Sequence, residues 1–130
     1  MRSALWIVTL LFAAEPALAD PCEAPLPRRG ATFAGTVRYV GDGDSLCVGA
    51  GANPRTWVEV RLADFYAPEL HASGGKEAKR ALESIAAGQR AVCTADHRSY
   101  DRIVATCEIG GESIGRLLRR AGAVEGGNGH

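Results

Sequence analysis

The chain has 130 residues, 15 of them basic (Lys and Arg) and 15 acidic, for a formal net charge of zero. This length suits one compact domain with a modest core, and electroneutrality excludes the strongly basic surface that coats nucleic acid without sequence preference. Any recognition of phosphate must therefore be local.

Residues 5–14 form an apolar run behind Arg2, closed by the small-residue triplet Ala17, Leu18 and Ala19. The pattern predicts a secretory signal peptide over residues 1–19, cleaved before Asp20. The run is too short to cross a bilayer, and no later segment is continuously apolar enough to do so. An exported protein without a membrane anchor is expected, either periplasmic or secreted. Cleavage removes one base, Arg2, and one acid, Glu15, so the charge balance is unchanged.

Residues 20–30 are rich in Pro and read as an irregular lead-in. Alternation then begins, and the domain proper is expected over residues 31–124. Residues 32–40 and 45–48 read as two strands joined by an Asp-Gly turn. Residues 56–63 read as a third, with Val58, Val60 and Leu62 on the core face and Trp57, Glu59 and Arg61 opposite. Ala78, Ala81, Leu82, Ile85 and Ala86 recur at helical spacing, and Gly88 is placed as a stop. Residues 90–95 and 103–109 read as two further strands. Ile114, Leu117, Leu118 and Ala121 repeat the helical spacing ahead of Gly122. The Gly-rich residues 125–130 are predicted to be disordered. Three strands, a helix, two strands and a helix make a mainly β (β+α) fold, namely a five-stranded OB-type Greek-key barrel with two helices.

Four cysteines, Cys22, Cys47, Cys93 and Cys107, occur with no C-x-x-C pair. Their wide spacing does not suit a tetrahedral zinc site, whereas export permits disulfides. Three pairings are possible. Cys93 with Cys107 is favoured, because their segments look like antiparallel strands joined by a polar loop, and Cys22 with Cys47 follows by elimination. A closed loop of this size contributes roughly 3 kcal/mol.

Three turns carry candidate chemistry. Gly41-Asp42-Gly43-Asp44-Ser45 comes first, then Arg61 and Glu69 at the two ends of one strand exit, then Ser99-Tyr100-Asp101-Arg102. Two carboxylates and two guanidinium groups suit phosphodiester chemistry. Permanent, planar cations offset the charge that builds on phosphoryl oxygens during attack. A carboxylate beside the attacking water can take its proton. Each piece also has an ordinary reading. Asp-Gly is a strong hairpin signal. Leu46 stands where an EF-hand loop needs an oxygen ligand. Arg61 suits a strand ion pair with Glu59 or Glu83, and Arg102 one with Asp101.

Taken together, in this order and spacing, the three turns resemble the staphylococcal nuclease (thermonuclease-like) family over residues 31–124. Its pattern is an Asp-Gly-Asp-Thr turn, an Arg-Leu strand ending in Asp-x-Pro-Glu, and a Tyr-Gly-Arg turn. The resemblance implies a calcium-assisted nuclease acting on DNA or RNA, and a monomer is expected. Asp44 is then a Ca2+ ligand, Arg61 and Arg102 hold the scissile phosphate, Glu69 acts on water, and Tyr100 lines the nucleotide pocket.

Tyr66 stands where the pattern has a second calcium-binding aspartate, with Ser45 for threonine and Asp101 for glycine. A phenol is a poorer ligand for a hard cation than a carboxylate. A second expectation follows, a catalytically impaired barrel that serves as a binding or partner-interaction module. Asp42 and Asp64 are the other acids near that position. Arg116, Arg119 and Arg120 form a basic helix face expected to be solvated, and Lys76, Lys79 and Arg80 with Glu77 and Glu83 a mixed-charge one.

Overall fold

The computed structural model describes residues 3–7 and 20–126. Short apolar runs, alternating in β3 and β4 and continuous in β2 and β5, build the strands β1 (Thr32–Asp42), β2 (Ser45–Gly49), β3 (Trp57–Leu62), β4 (Arg90–Ser99) and β5 (Arg102–Ile109). Helix α1 (Gly75–Ala86) lies between β3 and β4, and α2 (Ile114–Arg120) follows a two-residue strand, β6 (Glu112–Ser113).

The long strand β1 pairs antiparallel with both β2 and β4. Its first half, residues 32–36, faces β4 and its second half, residues 36–42, faces β2, with irregularities after Val37 and Val40 that bend the strand. β2 pairs with β3, β4 pairs with β5, and a parallel pairing of β3 with β5 joins the ends. The result is a closed five-stranded mixed barrel with two helices, the expected fold class.

The period-two reading of β3 holds, with Val60 and Leu62 fully buried. They meet Leu46, Phe65, Leu82, Ile103, Ile114 and Leu118 in one core. α1 lays Ala78, Leu82 and Ala86 on this core, and α2 adds Ile114 and Leu118. Gly88 and Gly122 both take positive φ just past the helices, as their placement as stops requires. Ser113 caps α2 by accepting from the Arg116 N–H.

Some features differ from the sequence reading. β4 continues to Ser99, because an irregularity after Ala95 re-phases the strand and lets its polar end pair with residues 102–104. β6 and a 3-10 turn at Pro54–Thr56 were not expected. Arg119 and Arg120 are engaged rather than simply solvated. Arg119 donates to the Asp64 carbonyl and to Glu125 and lies over the Phe65 ring, while Arg120 pairs with Glu112.

The disulfides are Cys22–Cys47 and Cys93–Cys107. The first fastens the lead-in to β2. Further ties run from the N–H groups of Glu23 and Ala24 to the carbonyls of Pro54 and Trp57, at 3.0 and 2.9 Å. Near the other end, the Gly126 N–H donates to the Tyr66 carbonyl at 2.8 Å. Residues 1, 2 and 8–19 of the expected signal peptide, and 127–130 of the expected tail, lie outside the described residues. Among the described residues no helix is long and apolar enough to cross a membrane.

Among the described residues Phe65 is the largest fully buried side chain, 1% exposed. Phe65→Ala is expected to lower unfolding free energy by about 3–5 kcal/mol in urea. Val124→Ala, at a position 72% exposed, should change it by less than about 0.5 kcal/mol. Equal effects would contradict this placement of the core.

Candidate functional site

The site begins at the β1–β2 turn, where Gly43 and Asp44 sit between the paired residues Asp42 and Ser45. One Asp42 carboxylate oxygen accepts from the Asp44 N–H at 3.1 Å and the Ser45 hydroxyl at 2.7 Å. Such a side-chain bond to the backbone two residues on is what makes Asp a turn former. Gly43 is needed for a different reason than the Asp-Gly signal suggests. Its φ is not positive. Instead, a Cβ at this position would lie 2.5 Å from that of Ala67 and 2.6 Å from that of Ala78. Glycine lets the turn slide between α1 and the chain leaving β3.

Asp44 is then only 4% exposed. Its carboxylate accepts from the Ala67 N–H at 3.1 Å, and its carbonyl accepts from the Leu62 N–H at 2.8 Å. Burial pushes the Asp44 carboxyl up to about 7, helped by its hydrogen bond to Asp42 and the charge there, against the Ala67 N–H and Arg61. Asp42 moves the other way. Burial raises it, but hydrogen bonds with Asp44 and Ser45 and the attraction of Arg61 outweigh that and hold it below the usual carboxylate range.

Arg61 lies opposite Ser45 on β2 and level with Val104 on β5. Its Nε is buried with no hydrogen-bond partner among the described residues. Glu59, two residues earlier, shares its face of β3. Continuing the parallel register one more side-chain step puts Glu59 level with Arg102. The two arginines thus stand on adjacent strands of one barrel face.

Beside them opens a cleft of about 640 Å³, lined by Asp20, Asp42, Ser45, Glu59, Asp101 and Arg102. Lys79 of α1 reaches it, and Leu70 and His71 also line it. Burial pushes Glu59 up to about 7, together with the charges of Asp101 and Asp20 and against that of Arg102. Asp20 is raised by burial and by Asp42, with Arg102 opposing.

The structure therefore brings Asp44, Arg61 and Arg102 to one end of the barrel. Glu69 is exposed on the β3–α1 loop, outside the cleft lining but next to Leu70. Tyr100 forms the β4–β5 turn with Asp101, is 89% exposed, and takes a left-handed φ of 56°. The Arg98 Nε donates to its carbonyl at 3.0 Å, which helps hold that uncommon conformation. Tyr66 is 40% exposed. Of the two acids considered as substitutes for the missing aspartate, Asp42 joins Asp44. Asp64 is directed at α2, where a Cβ on Gly115 would come within 2.5 Å of its carboxylate.

The sequence reading missed Glu59, Asp20 and Lys79 as cleft residues. Glu59 had a signal, its shared phase with Arg61. Asp20 had only its closeness to Cys22. Among the described residues no group of three or more His, Cys, Asp or Glu side chains is arranged to hold a metal ion. The half-buried Asp42 and the buried Asp44 nonetheless put two carboxyls close together, a donor pair of the kind that suits a hard cation. No family model matches the chain, and no curated protein matches it.

The raised Asp44 carboxyl makes stability depend on pH. Its ordinary value is 3.8, so as pH rises from there toward 7 the unfolded chain gives up this proton while the folded one keeps it. The stability associated with the protonated group is complete below the ordinary value and is lost as pH climbs through the folded one. Asp44→Asn keeps a neutral group and should gain on wild type by at least ~4 °C in Tm between pH 4 and pH 8. Parallel Tm curves for the two proteins would refute the assignment.

Proposed function

We propose that the protein is an exported, monomeric nuclease of the staphylococcal nuclease type, periplasmic or secreted, that hydrolyses phosphodiester bonds in DNA or RNA with the help of calcium. The observation that supports this reading is an open cleft lined by Arg102, next to a strand on which Arg61 lies opposite Ser45 and within electrostatic reach of Asp44, with the Arg61 Nε buried and unpaired among the described residues. Two disulfides suit an oxidising compartment.

In this reading Arg61 and Arg102 hold the phosphodiester and meet the negative charge that grows on its oxygens as water attacks. Fixed cations stabilise that charge without having to reorganise. Glu69, on the loop that continues into the cleft wall, takes the proton from the water. The exposed Tyr100 ring offers a surface on which a base stacks. Asp44, with Asp42 beside it, would hold the calcium ion, whose charge polarises the same phosphate.

Folded protein is expected to digest denatured single-stranded DNA or RNA in calcium and to stop in chelator. Glu69→Gln should lower kcat by about 10²–10⁴-fold and Arg102→Ala by about 10²–10³-fold. A folded protein that cleaves neither polymer, with or without calcium, rules the reading out.

A second reading rests on Tyr66. With a phenol in place of a carboxylate, the barrel serves as a binding or partner-interaction module and no longer cleaves. Tyr66→Asp is then expected to raise calcium affinity and to restore cleavage to a silent protein. A wild type that cleaves and barely gains from this substitution removes that alternative.

A further inference from the structure

The cleft contains a residue that the turn motifs do not supply. Asp20 comes from the lead-in, two positions before Cys22, and the Cys22–Cys47 disulfide fastens that segment to β2. Backbone bonds from Glu23 and Ala24 hold it from the other side. Gly41 makes the space, since a Cβ there would stand 2.6 and 2.8 Å from the two Asp20 carboxylate oxygens. The Asp20 side chain thus lies across β1 and shares the cleft lining with Asp42, Glu59 and Arg102. It lies close enough to Glu59, Arg102 and Asp101 to interact with each of them electrostatically. The salt bridges of the described residues lie elsewhere, so Asp20 does not cap Arg102. Its influence on a ligand at Arg102 is that of a nearby charge.

Four acids, Asp20, Asp42, Glu59 and Asp101, stand against Arg102 and Lys79 in this lining. A carboxylate at a fixed distance repels a dianion twice as strongly as a monoanion. An internal phosphodiester carries one negative charge and a terminal phosphomonoester carries two at alkaline pH. Repulsion built into a site is a means of rejecting the wrong ligand.

We propose that Asp20 is a specificity-determining residue of the cleft, selecting singly charged internal phosphodiesters over doubly charged terminal phosphates. The proposal rests on the reading of the cleft as a phosphate site. The segment outside the motif-bearing turns thereby sets which phosphate the arginines accept.

The test is Asp20→Asn, which keeps the shape and removes the charge. Affinities are measured by NMR titration at pH 8 and low ionic strength, for the dinucleotide TpT with one charge and thymidine 5′-monophosphate with two. The chain assayed begins at Asp20, as export would leave it, so that the substitution removes the side-chain charge while the α-ammonium group is the same in both proteins. Asp20→Asn is expected to tighten TpT roughly threefold and the monophosphate roughly tenfold. Equal gains, or none in a protein that binds both ligands, overturn the proposal and leave the phosphate site standing. Failure of either protein to bind either ligand overturns both. Glu59 gives an independent check of placement, because the Asp20 charge helps to raise its carboxyl to about 7. Its titration midpoint should fall in the Asn variant, and an unmoved midpoint would mean that Asp20 is not in the cleft.

Discussion

The contact on which this barrel end depends is the wedging of the Gly43–Asp44 turn between α1 and the chain leaving β3. It has a steric half and a polar half. The steric half is the missing side chain at Gly43, which brings the backbone against Ala67 and Ala78. The polar half is the Asp44 carboxylate, which takes the Ala67 N–H. A buried polar group without a partner is costly, and here donor and acceptor satisfy one another across 23 residues of sequence. Because Ala67 is held, the loop bearing Glu69 leaves the core from a defined point.

That contact also shapes the electrostatics. Drawing Asp44 inward places it beside Asp42, so one carboxyl rises toward neutrality while the other falls. Arg61 lies near enough to lower both, and Arg102 does the same for Asp20 and Glu59. A chain with no net charge therefore contains one region of densely alternating charge. Composition alone conceals such a region, since it averages over the whole surface.

The architecture was largely legible in the sequence, because apolar runs of strand length and helical spacing mark the major elements, with clear period-two alternation in β3 and in the first half of β4. Val60 and Leu62 against Glu59 and Arg61 separate the two faces of β3, and Gly88 and Gly122 mark the helix ends. The disulfide pairing was legible too, through the strand character around Cys93 and Cys107. Short or re-phased pieces were not: β6 has two residues, and the irregularity after Ala95 breaks the alternation by which β4 would be followed. In the candidate site, Asp44, Arg61 and Arg102 were named by the resemblance of the three turns to a family pattern, since each turn alone has an ordinary reading. Asp20 could not be named so, since its place depends on a cross-link and on an empty volume at Gly41. The reason for Gly43 was equally hidden, because local propensity reports φ and ψ and says nothing of two alanines arriving from elsewhere.

The two disulfides enclose separate stretches of chain, spanning 25 and 14 residues, with neither loop inside the other. A polypeptide emerging amino end first can thus close its earlier ring before the third thiol has appeared. Oxidation in order of emergence yields the native connectivity without reshuffling, and the covalent topology is free of threading.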